Sequence, residues 1–131
     1  MPAPTRHVLV VACLAAGSQS LRAALGERAR REATEFTLLM PAPAAAGEAG
    51  ALIRAAVERL RADGLDVAGL LGEADPCAAV EQMWDPGEYD EIVVATLAPE
   101  RSHWVEHDLP ARLKRITGVP VEHVVAGAGE S

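Results

Sequence analysis

The sequence predicts an α/β fold with a mostly parallel sheet covered by helices on both faces. Two observations carry that expectation. Short apolar runs rich in Val, Ile and Leu alternate with longer segments of helical period, in the order β-α-β-α-β-α-β-α-β. The segments between strands are long enough to be the crossovers that parallel pairing requires. At 131 residues, the chain is expected to form one domain, 1–131, large enough to bury a core without staples.

Val8-Leu9-Val10-Val11-Ala12 is the first strand, apolar throughout and so buried on both faces. Gly17-Ser18-Gln19-Ser20 punctuates it. A helix over Leu21 to Ala33 follows, with Leu21, Ala24, Leu25 and Ala29 on one stripe. Phe36 to Met40 is the second strand, closed by Pro41 and Pro43. A small-residue loop, Ala42 to Gly50, leads into a helix over Glu48 to Ala62. Leu52, Ala56 and Leu60 mark its inner stripe, and Gly64 stops it.

Leu65 to Leu71 is the third strand. Asp75 caps the next helix, with Pro76 at its first position, and that helix ends at Trp84 before Asp85-Pro86-Gly87. Ile92 to Ala95 is the fourth strand. A last helix spans His103 to Ile116, stopped by Gly118, and Val119 to Val125 is the fifth strand.

Composition excludes several functions. The net charge is −7, whereas phosphate-backbone binding needs a basic face. Arg28, Arg30 and Arg31 alternate with Glu27 and Glu32, which reads as a solvated helix face. The four aromatics, Phe36, Trp84, Tyr89 and Trp104, are too scattered to form a base-stacking platform. No nucleic-acid partner is expected. The longest apolar run, Val8 to Ala16, falls far short of the ~20 residues that span a bilayer, so no membrane partner is expected either. Val10-Val11-Ala12-Cys13 imitates a lipoprotein cleavage box, but too few apolar residues precede Cys13. Cys13 and Cys77 form no C-x-x-C pair, and a cytoplasmic protein with reduced thiols is expected.

Known catalytic motifs are largely absent. Lys114 is the sole lysine and lies between Leu113 and Arg115, so there is no Walker loop. Only Gly17 follows the first strand, too few glycines for a dinucleotide fingerprint. No nucleophile elbow occurs. His103-Trp104-Val105-Glu106-His107 does match H-x-x-E-H, and His103 and His107 share a helix face at metal-ligand spacing. That would suit a small metal-dependent hydrolase, but a catalytic zinc needs a third ligand and a substrate cleft. Incidental histidines in a first helical turn account for the motif more simply.

In parallel sheets, ligands bind beyond the carboxyl ends of the strands, where the strand order reverses. The loops after strands one and four therefore hold the candidate site, which would take a phosphate or another anion. Ser18 and Ser20 lie at the start of the first helix, and Arg101-Ser102 precede the last. Free N–H groups at a helix start attract anions, and Arg101 would add a bidentate contact. Plain N-capping by Ser102 beside a solvated Arg101 explains the same residues with fewer assumptions.

Gly72-x-x-Asp75-Pro76-x-x-Ala79, then Asp90-x-Ile92-Val93-Val94, then Gly118-Val119-Pro120-Val121, together with Val8 to Val11, resemble a universal stress protein. The resemblance covers about residues 6–126. It implies a Rossmann-like sheet, of the adenine nucleotide alpha hydrolase kind, in strand order 3-2-1-4-5. It also implies a stress or regulatory role, frequent homodimers, and ATP or AMP bound by some members only. The nucleotide-binding members carry G-x(2)-G-x(9)-G-[ST] after strand four. Here no glycine falls between Glu88 and Thr117, and Thr96-Leu97-Ala98-Pro99-Glu100-Arg101-Ser102 takes that place. Pro99 removes a donor and Glu100 repels a triphosphate. The family's acidic residue at the end of strand one falls at Cys13.

The expected function is therefore a universal stress protein-like regulatory or interaction module that does not bind ATP in the usual mode, with no cofactor and no catalytic residues. The alternative is a nucleotide or phosphoanion binder with a rewired loop, in which Thr96, Arg101, Ser102, His103, Ser18 and Ser20 contact the anion. A homodimer is expected through the fifth strand, around Val121 and Val124, because that strand order leaves it at an unprotected edge.

Overall fold

The structure is a computed structural model that describes residues 5–12, 14–41, 47–96 and 108–125. Its sheet has five parallel strands in the order β3-β2-β1-β4-β5. The strands are β1 (Arg6–Ala12), β2 (Thr34–Pro41), β3 (Asp66–Gly72), β4 (Glu91–Thr96) and β5 (Val121–Val125). The helices are α1 (Gln19–Arg31), α2 (Gly47–Ala62), α3 (Pro76–Met83) and α4 (Leu109–Thr117), with a 3-10 turn over Leu14–Gly17. The expected fold class and strand order are both present.

Alternation along the strands divides the core into two layers. Val8, Val10 and Ala12 of β1 pack with Leu21 and Leu25 of α1 and with Ile53, Val57 and Leu60 of α2. Leu9 and Val11 face the other way, onto Cys77 and Val80 of α3 and Leu109 and Leu113 of α4. The central strands are apolar on both sides because helices cover both sides. Residues Val8 to Ala12, which include three of the four residues of the apparent cleavage box, are a fully buried central strand.

Local chemistry sets the element ends. Ser18 caps α1, its Oγ accepting from the Leu21 N–H at 3.2 Å. Asp75 caps α3 by accepting from the Cys77 N–H at 3.1 Å, with Pro76 in the first turn. Gly64, at φ +89°, lets α2 end with Leu65 N–H bonding to Leu60 C=O and Gly64 N–H to Arg61 C=O. Gly118 ends α4 in the same left-handed region, donating to Lys114 C=O at 2.8 Å.

Two expectations are corrected. The inner stripe of α2 runs through Ala49, Ile53, Ala56, Val57 and Leu60, whereas Leu52 is 48% exposed. Leu52 lies one helical step, about 100°, from Ile53 at the stripe's centre. The last helix does not run unbroken from His103, since Asp108 has φ 54° and interrupts it, so α4 starts at Leu109. Pro110 would break the interior of the longer helix but is tolerated in a first turn. Residues 103–107 lie outside the described residues. Among the described residues, no helix is long and apolar enough to cross a membrane.

The pieces that carried the family resemblance have structural reasons here. Gly72 ends β3 directly under α3, where a Cβ would lie 2.8 Å from Ala79 Cβ and 3.0 Å from Leu39 Cδ1. The spacing from Gly72 to Ala79 is thus a close approach of strand and helix between two small residues. Asp90 ties β4 to β1: its carboxylate accepts from the His7 N–H at 2.9 Å, and its own N–H donates to His7 C=O at 2.8 Å.

Candidate functional site at the carboxyl ends of the strands

Strands β1 and β4 lie side by side at the centre of the sheet, with Ala12 paired to Ala95. The chain leaves β1 toward β2 and leaves β4 toward β5, so the strand order reverses between them. This is the crevice where an α/β sheet holds a ligand. Thr96 ends β4 there, and Ser18 opens α1 there.

The structure accounts for both hydroxyls. Ser18 is 4% exposed and spends its acceptor capacity on the helix cap. Its carbonyl accepts from the Arg22 N–H at 3.1 Å. Ser20 sits half-buried in the first turn of α1. Thr96 is 3% exposed, and its Oγ1 lies 2.6 Å from His123 Nε2 on β5. Thr96 shares a face with Ile92 and Val94, which pack toward α3 and α4, whereas α1 covers the opposite face. Thr96 and Ser18 therefore approach the crevice from opposite sides of the sheet. Arg101, Ser102, His103 and His107 lie outside the described residues, as do Cys13 and Trp104.

His123 is the functional-group partner that the sequence reading missed. The sequence placed it in the fifth strand, but no local signal pairs it with a residue on β4. The register does so by setting Val94 opposite His123 and Thr96 opposite Val125. Burial holds the imidazole below its ordinary pKa.

Arg59 is a second unforeseen contributor. It lies exposed on α2. Its Nη1 reaches 3.3 Å to Gly17 C=O, setting a guanidinium against the segment between β1 and α1. Arg22 pairs in bidentate fashion with Asp63, both contacts 2.8 Å, and tethers the first turn of α1 to the end of α2.

Charge also gathers at the amino ends of the strands, around a cleft of about 420 Å³. Arg28 of α1 donates to both carboxylate oxygens of Glu91, at 3.1 and 2.8 Å, and also contacts Glu122 of β5. Arg6 lies 3.6 Å from Glu91 and 3.8 Å from Glu32. Burial by itself pushes Glu91 up, but the bonds and charges of Arg28 and Arg6 outweigh it and hold the carboxyl below its usual range. This cluster joins α1, β1, β4 and β5. The Arg28 face that the sequence suggested was solvated is thus partly a tertiary clamp.

Cys77 is 4% exposed, and burial pushes its thiol up, which keeps it protonated and inert. Among the described residues, no three His, Cys, Asp or Glu side chains gather to hold a metal ion. The sequence matches no protein-family model, and no curated protein is significantly similar to it.

Proposed function

We propose that this chain is a universal stress protein-like regulatory or interaction module that does not bind ATP in the usual mode. The observation that carries this reading is the Thr96–His123 pair. At the end of β4, where a phosphate-binding loop would start, the hydroxyl is turned onto an imidazole of the same sheet. The segment that follows has no glycine to let its backbone approach a phosphate. In this reading the protein is cytoplasmic, acts through a protein partner, and forms a homodimer along β5. That strand is outermost, and Val121 and Val124 are half-buried within it.

Calorimetric titration of nucleotide-stripped protein with Mg-ATP tests the main claim. No saturable heat is expected, and micromolar binding would overturn it. Light scattering tests the dimer, which a one-chain mass at tens of micromolar protein would refute.

A second reading is a phosphoanion binder with a rewired loop, using Thr96, Arg101, Ser102, His103, Ser18 and Ser20. Arg59 favours it, because it brings a cation to the segment that leads into α1. In this reading Arg101→Ala and Arg59→Ala each weaken binding of the anion. Unchanged affinity in both would discard it.

A further inference from the structure

The bond between Thr96 Oγ1 and His123 Nε2 is 2.6 Å long. Bonds donated by an N–H cluster near 2.9–3.0 Å, whereas those donated by a hydroxyl are shorter. A length of 2.6 Å suits the Thr96 O–H as donor and the imidazole Nε2 as acceptor, a choice the ring's tautomer decides. That arrangement requires a neutral ring with its proton on Nδ1.

A protonated ring cannot accept. Both nitrogens of an imidazolium are donors, so the bond must reverse, with Nε2–H donating to Thr96 Oγ1. The hydroxyl proton of Thr96 is then released inside a residue that is only 3% exposed. A buried donor without an acceptor is costly. An anion would supply that acceptor and also balance the new charge.

We propose that Thr96 and His123 form a proton-gated anion site at the carboxyl end of β4, closed on itself when the imidazole is neutral and opened when it takes up a proton. The fitting ligand class is a small oxyanion, phosphate or carboxylate. The choice of ligand rests on the anion-binding reading above, whereas the proton step does not.

The surroundings suit such a gate. On its own face His123 packs beside Val121, Ile92 and Val94 and toward α4. The charged residues of α4 are Arg112, Lys114 and Arg115, all exposed, with Asp108 preceding the helix. Arg112 acts on Cys77 of α3. Glu91 of β4 and Arg28 of α1 are engaged with each other at the opposite end of the strands, and Glu122 of β5 joins them. Among the described residues none of these charges perturbs the imidazole; burial alone does. Among the described residues no carboxylate therefore neutralises the charge that the ring gains.

The test is a nitrogen-15 and proton NMR titration of the His123 ring, with and without inorganic phosphate, in the wild type, Thr96→Val and Thr96→Ser. At pH 8 the wild-type ring should show the Nδ1–H tautomer. Thr96→Val should move the titration midpoint to lower pH, because the bond lost by the charged ring is the stronger one. Thr96→Ser should restore the wild-type midpoint. Phosphate should raise the midpoint in the wild type but not in Thr96→Val, since a ligand that prefers the protonated form raises proton affinity by the same factor. An Nε2–H tautomer at pH 8, or a midpoint indifferent to Thr96→Val, overturns the gate. A midpoint indifferent to phosphate overturns the anion assignment while leaving the proton step standing.

Discussion

Replacing Gly72 by alanine should destabilise the protein, although the same change at Gly50 should stabilise it. A Cβ at Gly72 would meet Ala79 Cβ at 2.8 Å and Leu39 Cδ1 at 3.0 Å. Leu39 can turn its terminal methyl aside, but Ala79 is fixed to the backbone of α3 and has no rotamer to change. The helix must move off the strand. Overpacking of this kind costs about 1–3 kcal/mol. Lower entropy of the unfolded chain returns about 0.4–1 kcal/mol. The net loss is about 1–2 kcal/mol, which at this chain length lowers Tm by about 3–10 °C. At Gly50, inside α2, a Cβ meets nothing within 4 Å, and the gain in helix propensity is about 0.5–1 kcal/mol. Urea unfolding followed by tryptophan fluorescence measures both variants. Trp84 is a suitable reporter because its ring stacks on Tyr89 at 5.5 Å. The double variant Gly72→Ala/Ala79→Gly should recover part of the packing loss, less the cost of glycine in a helix. A Gly72→Ala protein as stable as the wild type would refute the close-approach argument.

Other outcomes follow from the same structure. Asp75→Ala removes the cap of α3 and should cost about 1 kcal/mol by chemical denaturation, whereas Asp75→Ser should cost much less. Leu113→Ala empties a fully buried position between α4 and the sheet and should cost about 2–5 kcal/mol, read as a lower urea midpoint with an unchanged slope. Arg28→Ala leaves Glu91 without its main partner and should cost about 1–3 kcal/mol at neutral pH. Because Glu91 is held below the ordinary carboxylate value of 4.5, its stabilising contribution is complete above that pH. It is lost as the pH falls through the lowered native value, and Arg28→Ala should flatten this acid slope. His123 is also depressed, from an ordinary value near 6.5. Wild-type stability should therefore drop as pH falls below that value, and His123→Gln should reduce the drop in a pH series of thermal melts.

Much of the fold was legible because local chemistry wrote it. Val8 to Ala12 is apolar at every position, which only a strand covered on both faces needs. Asp75-Pro76 and Gly64 mark helix ends through capping and a positive φ, effects that act within a few residues. Errors arose where a neighbour outside that range decided. Leu52 fits the period of α2 about as well as Ile53, and the position of β3 beneath the helix selects Ile53. Asp108 and Pro110 could in sequence sit within a long helix, but the backbone at Asp108 turns left-handed and the helix starts after it.

The candidate site was legible only in its location. Alternation of strands and helices directs attention to the loops after β1 and β4, and Thr96 and Ser18 can be picked out there by residue type alone. Their partners cannot. Thr96 and His123 stand 27 positions apart, and Arg59 and Gly17 stand 42 apart. Sequence by itself determined the element order, the buried character of the central strands and most helix ends, because those depend on short-range sterics and hydrogen bonds. Tertiary structure alone decided which polar groups meet, because strand register and helix placement bring distant residues within hydrogen-bonding distance, and no local pattern encodes that approach.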